Sequence, residues 1–275
     1  MINHAWRILA TGLCFALFGL AAAIARVSVF PLLPLLFRTP TGRARWTRRF
    51  IRRSFGLLIA TMSHLGIMTF SWRGLERLDR HGLLLLANHP CFLDVVFLMA
   101  AVDRADCIIK ADLARNPFTR SPIRSAGFLC NDAGPALLEA CIDSVKQGNN
   151  LIIFPEGTRT PRTLDGGRPT MQRGAAQIAV RGRLNVTPVR IRIEPLTLGK
   201  GDRWYHVPNR PWHIAFEVGE DIDVQHIVSS TASEAIAARR LNERLLDHFF
   251  PAAPVAAAHT DRKSTRLNSS HGYIS

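Results

Sequence analysis

The feature that most constrains this chain is an uncharged stretch, Ile8–Ala25, close to its N-terminus. As a helix rising 1.5 Å per residue it would extend roughly 27 Å, which is about the thickness of a bilayer's hydrocarbon core. The apolar sequence continues through residues 27–37, where Pro31 and Pro34 are expected to interrupt a helix. The sequence therefore predicts an N-terminal helix that either spans a membrane or lies in its surface.

Arginines follow this apolar sequence directly: seven occur within residues 38–53, with no acidic residue among them. Basic residues beside an apolar segment are typical of the cytoplasmic side of a membrane, where they bind anionic lipid. A secretory signal is the alternative, since Ala21–Ala25 offers small-residue cleavage sites; the single Arg7 ahead of the apolar stretch and the apolar sequence after it fit a signal less well. We expect the cytoplasmic face of a membrane, the inner membrane in a bacterium.

Residues 54–70 are again mostly apolar and predict a second helix, so residues 1–70 form a predicted N-terminal region of membrane-associated helices. The net charge of +14 suits anionic partners such as acidic lipid headgroups or an acidic carrier protein. The five cysteines show no Cys-x-x-Cys spacing, which argues against a disulfide framework and a zinc site. We expect no bound metal and no nucleic acid partner.

Beyond about Trp72 short apolar runs alternate with helical patterns. Strands are predicted at residues 82–87, 107–109, 128–130, 150–154, 186–193 and 212–218, and helices at 92–101, 135–147, 171–181 and 232–250. This alternation predicts an α/β domain at residues 71–250, with a largely parallel sheet flanked by helices and preceded by the N-terminal helices. Residues 251–260 resemble a linker-like tail, and residues 261–275 resemble the translation of a sequencing adapter, so neither enters the fold prediction.

Two residues with complementary chemistry follow the first predicted buried strand. His89 and Asp94 are five positions apart, and Pro90 between them favours the first position of a helix. We therefore expect His89 just before a helix and Asp94 in its first turn, where a carboxylate could fix the imidazole tautomer and leave one nitrogen as a base. By itself the spacing is equally typical of a capping or core histidine.

A second polar segment, Phe154–Arg159, follows the predicted strand at residues 150–154. Gly157 allows close approach of backbone to a ligand, Thr158 adds a hydrogen-bonding hydroxyl, and Arg159 offers a guanidinium suited to phosphate. The alternative is a turn held by an internal ion pair between Glu156 and Arg159.

Together, the blocks at residues 88–94 and 154–159 resemble the Asn-His-x-x-x-x-Asp and Phe-Pro-Glu-Gly-Thr-Arg motifs of the glycerolipid acyltransferase family, which includes the lysophospholipid and 1-acyl-sn-glycerol-3-phosphate acyltransferases. The resemblance covers roughly residues 72–220, including the Pro-containing strand at 186–189. It implies transfer of a fatty acyl group from acyl-CoA or an acyl carrier protein to the hydroxyl of a lysophospholipid-type acceptor, without a further cofactor. His89 would be the general base and Asp94 its orienting residue. The substrate-binding residues would be Asn88, Lys110, Glu156, Gly157, Thr158 and Arg159.

One segment departs from the family pattern. Members usually carry Gly-x-x-Phe-Ile-x-Arg, whose arginine helps to bind the acceptor phosphate, whereas this chain reads Gly-Phe-Leu-Cys-Asn-Asp at residues 127–132. The acceptor therefore stays open, and an acyltransferase of a specialised, polyene-type lipid pathway is an alternative. A non-catalytic, basic lipid-binding protein is another. A covalent hydrolase is disfavoured because the Gly-x-Ser-x-Gly motif is absent.

Overall fold

The computed structural model describes residues 2–117, 119–132, 134, 136–161 and 168–251, with only the backbone of Ile2. The linker-like residues 252–260 and the adapter-like residues 261–275 lie outside the described residues.

The N-terminal region consists of helices α1 (Ile2–Ser28), α2 (Leu33–Leu36) and α3 (Pro40–His64). The interruption predicted at Pro31 and Pro34 is confirmed, since α1 ends before it and α2 has only four residues. By length and composition, α1 could cross a membrane. Helix α3 begins where the Thr39 hydroxyl accepts a hydrogen bond from Gly42 N (3.2 Å) and Pro40 takes the first position.

The prediction of one helix over residues 54–70 is wrong beyond His64. Gly66 adopts a left-handed conformation with φ = 69°, and Ile67 N bonds back to Met62 O (3.1 Å), which closes the C-terminus of α3. The chain then enters strand β1 (Met68–Arg73). The apolar run hid this change because a short apolar run fits a helix and a strand equally well.

The rest of the chain forms a seven-stranded sheet in the order β1-β7-β6-β2-β5-β3-β4. The other strands are β2 (Leu84–Ala87), β3 (Ala105–Ile109), β4 (Leu129–Cys130), β5 (Asn150–Ile153), β6 (Val186–Glu194) and β7 (Trp212–Val218). All neighbours pair in parallel except β6 and β7. The predicted α/β fold with a largely parallel sheet is confirmed.

Helices cover both faces of the sheet. A 3-10 helix, Leu75–Leu78, follows β1, and the α-helices are α4 (Asp94–Ala101), α5 (Ala111–Arg115), α6 (Arg120–Ala126), α7 (Ala136–Lys146), α8 (Arg173–Gly182), α9 (Val224–Ser229) and α10 (Glu234–Phe249). Strand β2 is buried on both sides: Leu85 packs in a core shared with α1, α3 and α4, whereas Leu84 packs in a core shared with α7, α8 and α10. The N-terminal helices thus contribute directly to the core of the sheet, and the predicted boundary at residues 70 and 71 falls within β1.

The strand directions define two edges of the sheet. Strands β2 to β6 all end at one edge, which we call the carboxyl edge, and begin at the opposite, amino edge. His89 follows β2, Lys110 follows β3, the Asn-Asp pair follows β4 and the Phe154–Arg159 segment follows β5. Every residue predicted for the site therefore lies at the carboxyl edge, where parallel sheets commonly place their ligands.

Candidate active site

The predicted pairing of His89 with Asp94 is present in the structure. The imidazole Nδ1 lies 3.1 Å from Asp94 Oδ2, and the same oxygen accepts a hydrogen bond from the backbone amide of Cys91 (2.8 Å). The Asp94 side chain is fully buried and that of His89 is 16% exposed. Bonding at Nδ1 leaves Nε2 as the nitrogen that can accept a proton, and no described residue hydrogen-bonds to Nε2.

The local backbone differs from the prediction. Pro90 does not open the helix, because α4 begins only at Asp94, after a turn through residues 91–93. Two bonds between Cys91 and Asp94 close this turn: Asp94 N donates to Cys91 O (3.4 Å), and Cys91 N donates to the carboxylate. The turn brings the two side chains together, which five residues of continuous helix would not do.

The environment of Asp94 is costly for a negative charge. Burial raises the pKa of Asp94 to about 6, although the hydrogen bonds from His89 and Cys91 favour the ionised form. Its second oxygen, Oδ1, is buried with no hydrogen-bond partner among the described residues. A carboxylate held in this way gains from a positive charge on the neighbouring imidazole.

The Phe154–Arg159 segment holds the backbone of His89. Glu156 Oε1 accepts hydrogen bonds from His89 N (2.9 Å) and from the Thr160 hydroxyl (2.9 Å), and Thr160 N donates to His89 O (2.8 Å). Glu156 is buried, and burial raises its pKa. The alternative of a turn held by a Glu156–Arg159 ion pair is wrong, because Glu156 binds the His89 backbone instead. Glu156 is therefore placed to position His89.

Phe154 holds the imidazole ring itself. Its ring stacks on that of His89, with centroids 4.2 Å apart and an angle of 27° between the planes. The stack and the Asp94 bond together restrict the imidazole to one orientation. Sequence reasoning missed the roles of Phe154 and Thr160; the aromatic residue at the end of β5 and the hydroxyl directly after the second block were the available signals.

Arg159 tethers the loop that follows β6. Its Nη1 donates to Leu198 O (3.1 Å) and Gly199 O (2.7 Å), and Leu198 O also accepts from Phe92 N (3.0 Å). Its Nε and Nη2 make no hydrogen bond to the described residues and are the atoms that could meet a phosphate. Thr158 is exposed next to it.

Two other predicted binding residues differ in burial: Asn88 is buried and Lys110 is exposed. The Asn88 side chain is buried and exchanges two hydrogen bonds with the backbone of Ile191, at 2.8 and 2.7 Å, so it joins the end of β2 to β6. Lys110 is exposed at the end of β3. Beside it, Asn131 accepts a hydrogen bond from Ala111 N (2.9 Å), and Asp132 pairs with Arg115 (3.2 Å). Asn131 therefore anchors the start of α5.

Gly157 has a left-handed backbone conformation, and we expect that replacing this glycine destabilises the protein. Its φ is 66°, and a Cβ there would collide with the flexible side-chain amide of Gln172. Gly157→Ala should lower the free energy of unfolding by about 1–2 kcal/mol, because the left-handed conformation strains a residue with a Cβ. Gly174→Ala, where a Cβ meets nothing within 4 Å, should be neutral or stabilising by up to about 1 kcal/mol. Equal melting temperatures for the two variants would contradict this assignment.

The sequence of the chain is similar to those of known acyltransferases. Residues 69–192 match the family model described as Acyltransferase. The chain is 28% identical over 161 residues to a 1-acyl-sn-glycerol-3-phosphate acyltransferase of Helicobacter pylori, an alignment that covers 56% of this chain and 62% of that protein. It thus spans less than two thirds of the length of that relative.

The fold is also similar to a solved structure. The crystal structure of the 1-acyl-sn-glycerophosphate (LPA) acyltransferase PlsC from Thermotoga maritima superposes with a TM-score of 0.61 at 23% identity, covering 88% of this chain and 95% of that one. Residues 69–192, which match the family model, contain both sequence blocks and every strand from β2 to β5. Residues 69–192 thus resemble acyltransferases in sequence, and the chain shares the fold of the PlsC structure.

Proposed function

We propose that this protein transfers a fatty acyl group from an acyl thioester to the hydroxyl group of a lysophospholipid-type acceptor. The observation that carries the proposal is the His89–Asp94 pair, with Nδ1 bonded to a buried carboxylate and Nε2 directed away from that bond, in a region that matches the Acyltransferase family model. Phe154 and Glu156 support it, because they hold the ring and the backbone of the same histidine.

In the proposed reaction, Nε2 of His89 removes the proton of the acceptor hydroxyl as its oxygen attacks the thioester carbonyl carbon. The carbon–sulfur bond then breaks, and the imidazolium returns the proton to the departing thiolate, giving an ester and a thiol. Asp94 stabilises the imidazolium throughout. No acyl-enzyme is required: Cys91 is fully buried, and burial raises the pKa of its thiol, so it is a poor nucleophile.

The substrates of the proposed reaction follow from charge and from the names of the relatives. Nε and Nη2 of Arg159, with Lys110 at the same edge, would hold an acceptor phosphate such as that of lysophosphatidic acid. The donor would be acyl-CoA or an acyl carrier protein thioester. Because residues 127–133 contain no arginine where the family pattern has one, an acceptor of a specialised, polyene-type lipid pathway is the second candidate.

We also propose that the protein acts at an anionic membrane, at its cytoplasmic face. One side of α1 presents large apolar side chains to the exterior: Leu9, Leu13, Leu17, Leu20, Ile24 and Val27. A row of this kind beside the arginines of α3 matches a helix in contact with lipid and a positive surface near its headgroups.

A panel of acceptors and donors tests the proposal. Lysophosphatidic acid, other lysophospholipids and alcohols without phosphate would each be combined with acyl-CoA and with an acyl carrier protein thioester. We expect ester formation with a phosphate-bearing acceptor, detected by release of free thiol. Absence of transfer to every acceptor, from protein that still binds vesicles, would favour the non-catalytic lipid-binding protein instead.

A further inference from the structure

A second basic site lies far from His89, at the amino edge of the sheet. A cavity of about 580 Å³ opens there between the start of α3, the end of α6 and the residues that precede β2, β3 and β5. His81, Arg104 and Asn149 mark these three strand starts. Because the acyl-transfer site lies at the opposite edge, this cavity is a separate feature of the molecule.

The lining of the cavity carries a large excess of positive charge. Its arginines are Arg43, Arg45, Arg48, Arg49, Arg52, Arg104 and Arg124, and Asp103 is its one carboxylate among the described residues. A concave surface of one sign focuses the electric field and concentrates counter-ions. Guanidinium groups in such a place are suited to phosphate oxygens, which they bind in pairs.

Two of these arginines are already neutralised and form a fixed wall. Arg48 pairs with the buried Asp106 (3.0 Å) and donates to Ala126 O (2.9 Å). Arg52 pairs with Asp103 (3.0 Å) and donates to two carbonyls at the end of α4. Their charges are used in holding α3 against the sheet.

The other five arginines of the cavity are not neutralised by a carboxylate among the described residues. Within the described chain, Arg43, Arg45, Arg49 and Arg124 form no ion pair and no side-chain hydrogen bond. Arg104 donates only to the carbonyl of Gln147 (3.1 Å). Like charges gathered in a cavity repel each other, and a bound anion would remove that repulsion.

We propose that this cavity binds the phosphate group of an anionic ligand, and that a membrane lipid headgroup supplies it. The neighbouring sequence favours a lipid, because Leu35 and Leu36 of α2 and the preceding Leu32 are exposed only a few residues before Arg43. Apolar side chains inserted at the interface would bring headgroup phosphates to the mouth of the cavity. Phosphate binding in this cavity does not depend on acyl transfer at His89, and the two can be tested separately.

A pair of charge-matched variants of the full chain tests this. Arg43→Gln/Arg49→Gln removes two charges from the cavity, whereas Arg38→Gln/Arg53→Gln removes two exposed charges that flank the same segment but line no part of it. Diffuse attraction to an anionic surface is worth about fivefold in affinity per arginine and is lost equally by both. Sedimentation with phosphatidylcholine vesicles containing phosphatidylglycerol should show the cavity variant binding at least tenfold more weakly than the flanking variant. The difference should persist at high salt, because direct hydrogen bonds from guanidinium groups to a phosphate are less sensitive to screening than diffuse attraction is.

Inorganic pyrophosphate separates a lipid from a soluble source. It should raise the melting temperature of the wild type and the flanking variant, leave that of the cavity variant unchanged, and weaken vesicle binding of the wild type. If pyrophosphate stabilises only proteins with an intact cavity while both variants lose vesicle binding equally, the phosphate site stands and its ligand is soluble. Equal vesicle binding by the two variants together with no effect of pyrophosphate on any protein would overturn the proposal.

Discussion

Replacing His89 by Ala is expected to lower the turnover of acyl transfer by about 10²–10⁴-fold, the range that a positioned general base contributes. The reason is geometric: no other imidazole in the described chain is bonded at Nδ1 to a fully buried carboxylate. Thiol release under saturating donor and acceptor would measure the loss. His226→Ala, at an exposed histidine on α9, should keep the wild-type rate.

The same experiment shows whether His89 acts with Asp94 as one unit. If Asp94 works only through the imidazole, the double variant His89→Ala/Asp94→Asn should lose no more turnover than His89→Ala alone. Vesicle binding and the melting temperature report on folding, since the clamp formed by Glu156 and Thr160 holds the backbone of residue 89 and not its side chain. A His89→Ala protein that melts like the wild type and retains its rate would show that the base lies elsewhere.

The sequence predicted those elements whose buried residues form a continuous apolar run or a regular apolar stripe within a short segment. Strands β2 and β5 are short apolar runs buried on both faces, and α8 and α10 carry a regular apolar stripe. Strand β1 was missed for the opposite reason. Only Met68 is buried in it, and it exists through its pairing with β7, about 144 residues away. Helices α5 and α6 are too short for a helical period to be visible.

The candidate site likewise has a part that depends on local sequence and a part that depends on contacts between distant segments. The approach of His89 to Asp94 is local, so the spacing together with the resemblance to the family motif predicted the pair. The expected role of Pro90 was wrong, because a turn at residues 91–93 forms the pair. The roles of Glu156 and Arg159 depend on contacts between segments that follow different strands. In a sequence, a glutamate that accepts a hydrogen bond from the His89 amide looks the same as a glutamate that binds substrate. An arginine that binds loop carbonyls likewise looks the same as one that binds a phosphate. Only the adjacency of β2, β5 and β6 distinguishes them.

Replacing Asp94 by Asn should separate activity from stability. We expect turnover to fall by about 10²–10⁴-fold, since a neutral amide cannot stabilise the imidazolium and can hold the wrong tautomer. The wild-type rate should rise with pH through about 6, where Asp94 ionises, and then level off. Because the two groups are in contact, this limb belongs to the His89–Asp94 pair. Turnover of wild type and variant would be measured from pH 5 to 8.

The stability of the same two proteins should move the other way. Burial raises the pKa of Asp94 from its ordinary value near 3.8 to about 6, so folding takes up a proton between these values. The stabilising contribution of the neutral carboxyl is therefore complete below about pH 4, is lost as pH rises through 6, and stays lost above it. A shift of this size is worth about 2–3 kcal/mol, and Asn, which is neutral throughout, does not suffer the loss. The melting temperature of Asp94→Asn should thus gain on that of the wild type between pH 4 and 7, the interval that ends with the wild-type enzyme fully active. A constant difference in melting temperature across that interval would mean that burial does not raise the pKa of Asp94. Asp94 would then act on His89 without the electrostatic cost that its burial implies.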